Sequence, residues 1–80
     1  MKVAIPSYVE VKIYYENDYE MCFLCGALSL TEYSQDLINR EEKYLYIELG
    51  IDEVNNFQFF IAELQEQLER HRDILIDYTI

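Results

Sequence analysis

The sequence predicts an α+β domain: a small antiparallel sheet of three to four strands with one long C-terminal amphipathic helix packed on one face. Three observations predict it. Between Asp52 and Leu75 apolar residues fall at Val54, Phe57, Ile61, Leu64, Leu68 and Leu75 in steps of three and four, with Phe60 widening the stripe, the spacing that lines one side of an α-helix. Ser7 to Tyr15 and Tyr44 to Leu49 alternate apolar and polar or aromatic residues and are rich in β-branched and aromatic types, as half-buried strands are. The chain has 80 residues, 51% of them hydrophobic, enough for one small core and one domain over residues 1–80.

In chain order, Pro6 suits the position before a strand, where its missing N–H costs nothing. In the first strand Val9, Val11 and Ile13 face one way and Tyr8, Glu10, Lys12 and Tyr14 the other. Glu16, Asn17 and Asp18 read as a hairpin turn. The segment Glu20 to Leu30, EMCFLCGALSL, is apolar at both odd and even positions and reads as the central strand, with Gly26 marking a bulge or a close backbone approach. Leu30 to Lys43 is expected to be a turn or a short helix capped by Thr31 and burying Tyr33 and Leu37; a short strand at Asp36 to Arg40 is the alternative. The next strand turns Leu45, Ile47 and Leu49 inward and Tyr44, Tyr46 and Glu48 outward, and Gly50 ends it. The long helix opens at Asp52 behind Gly50, and no Gly or Pro interrupts it. The final ILIDYTI alternates and suits a short fourth strand or a docked tail, although the helix has the pattern to run on through Leu75.

No catalytic, phosphate-binding or complete metal motif is present, so a non-enzymatic protein without cofactor or metal is expected. Cys22 and Cys25 form a CxxCG, half of a zinc knuckle and also the spacing of a thiol redox pair. In an extended segment the two side chains point to opposite faces with Cα atoms about 10 Å apart, too far for a disulfide. Two buried thiols are the expectation, with a zinc bridge shared between two copies as the lesser reading. His71 reads as a structural histidine, because no nucleophile is placed near it by sequence. Glu16, Asp18 and Glu20 lack the glycine and the distal glutamate of a calcium loop.

Sixteen acids oppose six bases, a formal charge of −10. That balance disfavours nucleic acid and anionic membranes as direct ligands and points to a basic protein partner. No apolar run approaches the roughly 20 residues of a membrane span, and the start lacks the features of a signal peptide. A cytoplasmic location is therefore expected.

Two surfaces stand above this background. On a helical wheel Asp52, Glu63, Glu66, Glu69 and Asp73 gather opposite the apolar stripe around Phe59, diluted only by Arg70, and from Tyr44 to Glu69 there are six acids and no base. An exposed Phe ringed by carboxylates reads as an interface anchor with an electrostatic rim. The other surface is the sheet face bearing Tyr8, Tyr14, Tyr44 and Tyr46, with Met21 and Phe23 expected near its centre. Stacking of nucleic-acid bases there would need surrounding cations, and Lys12 is nearly alone. Protein contact, including self-association into a homodimer, is the better reading.

In size, charge and tyrosine content the chain is similar to small phage-encoded inhibitors of host defence or DNA-processing proteins, anti-CRISPR proteins and DNA mimics among them. The resemblance is one of composition and covers no motif. It implies a non-enzymatic inhibitor or decoy, acting in a host cytoplasm, whose carboxylates stand where phosphates would lie in the basic groove of a nucleic-acid-binding protein. The alternative from another class is an adaptor or oligomer subunit that uses the Tyr-rich sheet face.

Overall fold

The computed structural model describes residues 8–31, 33, 37–68 and 73–79. Strand β1 (Tyr8–Tyr14) is followed by helix α1 (Asp18–Ser29), strands β2 (Leu37–Asn39) and β3 (Tyr44–Gly50), a 3-10 turn (Ile51–Glu53), helix α2 (Val54–Leu68) and strand β4 (Ile76–Thr79). The strands form one sheet in the order β2-β3-β1-β4, with every neighbouring pair antiparallel. The architecture is the predicted α+β one, with a four-stranded sheet and a second helix that the sequence pattern did not reveal.

The alternation of β1 and β3 sets which face is covered. Val9, Val11 and Ile13 are buried opposite Leu49, Ile47 and Leu45 in an unbroken register from Tyr8↔Gly50 to Tyr14↔Tyr44. Phe57, Ile61 and Leu64 of α2 and Met21, Leu24 and Leu28 of α1 join the same apolar cluster. Both helices therefore lie on one face of the sheet, and among the described residues no helix covers the opposite face.

The segment Glu20 to Leu30 is helical, not a strand. The helix start is written in the sequence: Asn17 is extended at the cap and its side-chain oxygen accepts from the Glu20 amide at 2.9 Å. The Glu20 carboxylate in turn accepts from the Glu16 amide at 3.1 Å. This is a variant of the reciprocal capping box, in which a residue three positions after the cap turns back to an amide before the helix. Glu16, Asn17 and Asp18 thus open a helix instead of turning a hairpin. The interior of α1 misled because it is apolar on both sides, so a strand and a helix template match it equally well. Met21, Leu24 and Leu28, at helical spacing, are the apolar residues buried, and Gly26 sits mid-helix rather than at a bulge. Just past the end of α1, the Thr31 hydroxyl donates to the Leu28 carbonyl at 2.8 Å and accepts from the Tyr33 amide at 3.0 Å; of the short helix expected to follow it, residues 32 and 34–36 lie outside the described residues.

In the connection from α1 to β3 the alternative reading applies, because Leu37–Asn39 pairs with β3 as a short strand. Tyr33 packs its ring against Phe57 at 5.4 Å and Phe60 at 5.7 Å, whereas Leu37, expected to be buried, is 54% exposed. The β2–β3 hairpin closes through the Asn39 side chain, which accepts from the Glu42 amide at 2.9 Å, and through Lys43, whose φ of 60° lies in the left-handed region.

The long helix starts later and stops earlier than its stripe implies. Asp52 lies in the 3-10 turn, and among the described residues α2 ends at Leu68. His71, Arg70 and Glu69 lie outside the described residues. Leu75, expected on the stripe, is off the helix and 63% exposed, while its neighbour Ile74 is buried and its amide donates to the Gln65 side chain. The Leu75 carbonyl accepts from the Tyr14 amide at 2.9 Å. That bond leads into β4, which pairs Ile76–Thr79 with β1 as the expected fourth strand. The change of period at Asp73 from helical spacing to alternation marks where the chain returns to the sheet.

Candidate protein-binding surfaces

Helix α2 holds its candidate residues by the stripe on its other side. With Phe57, Ile61 and Leu64 buried, Phe59, Glu63 and Glu66 are turned to solvent. Phe59 is 74% exposed; Glu63 stands one turn on and Glu66 nearly two, all on one side of the helix. From Val54 to Leu68 there is no Lys, Arg or His, so nothing on α2 offsets the two carboxylates. Two of the other residues assigned to this face, Asp52 and Asp73, lie off α2. Asp52 is exposed at the approach to α2, with its carboxylate folded toward Gly50. Asp73 is exposed but lies beyond α2; it borders a shallow hollow of about 430 Å³ together with Gln58, Gln65, Glu66 and Ile74. Glu69 falls outside the described residues.

The uncovered sheet face is organised in rows across the strands. One row runs Leu37, Tyr46, Lys12, Asp77 from β2 to β4; a second runs Asn39, Tyr44, Tyr14; a third runs Glu48, Glu10, Thr79. Met21 and Phe23, expected at the centre of this face, belong to α1 on the other side of the sheet, where Met21 is buried and Phe23 packs against the core. Lys12 takes the central place instead.

The four tyrosines are not equivalent. Tyr44 is only 8% exposed. The Tyr14 ring meets it edge-on at 5.5 Å, the Lys12 ammonium sits 4.9 Å from its ring centre, and the Asn39 amide donates to its hydroxyl at 3.3 Å. Its expected role as a contact residue gives way to a structural one: it anchors its neighbours by aromatic and cation–π contact. Tyr14 is half-buried and donates its hydroxyl to Asp77 at 3.3 Å. Partial burial, followed by the nearby Asp77 charge, raises its pKa above the ordinary value. Tyr46 is pushed up to about 12 by burial first, then by its hydrogen bond to Glu10 and the charges of Glu10 and Glu48. Both phenols therefore stay neutral and act as donors to carboxylates. Tyr8, half exposed, is the tyrosine of the four most open to a partner.

Three features of this face were beyond the sequence pattern. Glu10 and Glu48 are direct cross-strand neighbours, Leu37 contributes an exposed apolar side chain beside Tyr46, and Asp77 reaches Tyr14. The outward direction of Glu10 and Glu48 followed from alternation, but their meeting depends on which strands pair and in what register. On the helix side of β4, Tyr78 hydrogen-bonds Gln58 and burial raises its pKa. The spacing of β4 alone gave no sign of that partner.

Cys22 and Cys25 lie three residues apart on α1, so the argument from opposite strand faces does not apply to them. Neither is buried: Cys22 is exposed and Cys25 is half-buried. No group of three or more residues able to hold a metal ion occurs among the described residues, and none of their helices is long and apolar enough to cross a membrane.

Comparison with protein-family models, with curated proteins and with solved structures finds no match for this chain.

Proposed function

We propose that the protein is a non-enzymatic acidic inhibitor or decoy that binds the basic, nucleic-acid-binding surface of another protein. The observation that carries this reading is the outer side of α2, where Phe59 is 74% exposed and Glu63 and Glu66 follow it with no base from Val54 to Leu68. A surface helix ordinarily mixes charges of both signs. A helix that offers carboxylates around a protruding aromatic suits a Lys- or Arg-lined channel: the carboxylates stand in for phosphates and the ring supplies the apolar anchor. The net charge of −10 extends the attraction beyond contact distance and steers the encounter. A cytoplasmic site of action, in a host cell for a phage-encoded inhibitor, goes with this reading.

A second reading is favoured by Leu37 and Tyr8, 54% and 50% exposed on the uncovered sheet face. An adaptor or oligomer subunit would use that face for apolar contact, and the acids would then serve solubility.

The test is capture of nucleic-acid-binding proteins from a candidate host lysate on the immobilised parent and on a Phe59→Ala, Glu63→Gln, Glu66→Gln variant. The expected result is a captured protein that duplex DNA displaces, that NaCl releases, and that the variant retains poorly. Equal retention by the variant, or a complex indifferent to both salt and DNA, overturns the reading in favour of the sheet face.

A further inference from the structure

The CxxC of α1 is the motif that the acidic surfaces leave unused. In a strand, Cys22 and Cys25 would point to opposite faces; on α1 they stand three residues apart, about one turn along the same side of the helix. Helical geometry sets their Cα atoms about 5 Å apart and their Cβ atoms about 5–6 Å apart. Cys22 is exposed, and Cys25 is half-buried and packed against the apolar cluster. Two thiols are therefore presented together, one open to solvent and one partly shielded from it.

Length decides what joins them. A disulfide holds its sulfurs about 2 Å apart and its Cβ atoms about 3.5–4.5 Å apart, so closing one here pulls a helical turn out of shape. An ion between the sulfurs adds a second bond. At about 2.3 Å for each metal–thiolate bond, a linear arrangement spreads the sulfurs to roughly 4.6 Å and leaves the helix as it is. Donor number then selects the ion. A structural zinc takes four ligands, and no group of three or more residues able to hold a metal occurs among the described residues. Met21, the neighbouring soft donor, is buried in the core. A soft cation of the Cu(I) kind favours thiolates and is satisfied by two of them.

We propose that Cys22 and Cys25 form a binding site for one soft monovalent cation of the Cu(I) class, held by both thiolates of a single chain. Binding is an exchange: two S–H protons pass to solvent, two metal–sulfur bonds form, and the ion keeps its oxidation state. The surroundings favour a cation. Asp18 lies one turn before Cys22, α1 carries no base, and the net charge of −10 draws positive ions toward the chain. Gly26 stands one turn beyond Cys22 and beside Cys25, and a Cβ built on it would meet nothing within 4 Å. No side chain at that position crowds the sulfurs. A third thiolate can approach from the open side, so the ion is exchangeable and not locked into the fold.

This inference does not rest on the α2 reading. The experiment is anaerobic titration of the reduced protein with Cu(I) held by bathocuproine disulfonate, a coloured competitor whose loss of colour counts the ions taken up. Parent, Cys22→Ser and Cys25→Ser are compared, with circular dichroism to confirm folding and sedimentation velocity to give the mass of the loaded protein. The expected result is one ion per chain on a monomer, two protons released per ion, and a melting temperature that rises as the ion binds. Each serine variant keeps the helical signal and binds at least about a hundredfold more weakly. Zn(II) at the same concentration leaves the melting temperature unchanged. A parent that takes Cu(I) no more tightly than the serine variants overturns the proposal. Half an ion per chain on a dimer overturns it too, because the ion then bridges two copies through the exposed Cys22. A melting temperature that falls on loading does the same, since the ion would then be pulling the helix open instead of fitting it.

Discussion

Glu10 on β1 and Glu48 on β3 are direct cross-strand partners on the uncovered face of the sheet. Like charges at that separation, about 4.5–5.5 Å between Cβ atoms, oppose strand pairing. The Tyr46 hydroxyl hydrogen-bonds Glu10, which satisfies an acceptor without cancelling a charge. The pair therefore weakens the fold at a place where a cation from outside would strengthen it.

Glu48→Lys is expected to raise the stability of the free protein by about 0.2–1 kcal/mol, because an opposite-charge pair replaces a like-charge one. The urea midpoint checks it, and a lowered midpoint would mean that the two carboxylates do not confront each other. Where this face takes part in binding a basic partner, the same substitution weakens the complex, so stability and binding move in opposite directions.

Alkaline pH tests Tyr46. Its folded pKa of about 12 exceeds the ordinary value of 10.0, so the neutral phenol is favoured by folding. That contribution is fully present below pH 10 and is lost as pH rises through 12. Tyr14 and Tyr78 shift in the same direction and add to the loss. The parent is expected to lose stability over this window, and Tyr46→Phe to lose less of it. Tyrosinate absorbance should show a late-titrating phenol that Tyr46→Phe removes and Glu10→Gln moves toward the ordinary value.

What the sequence made legible follows from which patterns are local. The stripe Phe57, Ile61, Leu64 and the alternations of β1 and β3 each name their buried side within a few residues, so the layer of core between sheet and α2 was readable, and with it the outward direction of Phe59, Glu63 and Glu66. Helix α1 was not readable from periodicity, because Tyr19, Cys22 and Gly26 on its outer side carry no charge to set that side apart from the side of Leu24 and Leu28. The cap at Asn17 and Glu20 was the local signal that would have decided it. Strand pairing is a tertiary fact, so the burial of Tyr44 under Lys12 and Tyr14 and the meeting of Glu10 with Glu48 had no signature in the sequence.

Leu64 tests the core. It is 4% exposed in the cluster that joins α2 to the sheet, and Leu64→Ala is expected to cost about 2–5 kcal/mol through lost burial and the cavity left behind. Chemical denaturation measures it. A loss under about 0.5 kcal/mol, the range of ordinary surface substitutions, would mean that α2 does not pack by this stripe.

The hairpin carries a backbone cost at Lys43, whose φ is 60°. An L-residue with a Cβ is held there at roughly 1 kcal/mol or more, whereas glycine adopts this conformation freely. Lys43→Gly is expected to raise stability despite the greater freedom of glycine in the unfolded chain. The comparison to make is with Lys43→Ala, which removes the same charge but keeps the Cβ; if both variants behave alike, charge and not conformation sets the effect.

Salt acts on the whole molecule. Sixteen acids and six bases share 80 residues, and compaction brings those carboxylates closer than they stand in the unfolded chain, so self-repulsion opposes folding. Screening shortens the reach of that repulsion to about 10 Å at 0.1 M ionic strength, and the melting temperature is expected to rise with moderate NaCl. Association of copies would also raise it, because salt screens their mutual repulsion and association favours the folded state. The two causes differ in their dependence on protein concentration: relief of repulsion within one molecule gives the same shift at every concentration, while a dimer contribution grows with it. Calorimetry over a range of protein concentrations separates them. A melting temperature that falls as NaCl is added, at all protein concentrations, would show that favourable ion pairs outweigh the repulsion among the acids.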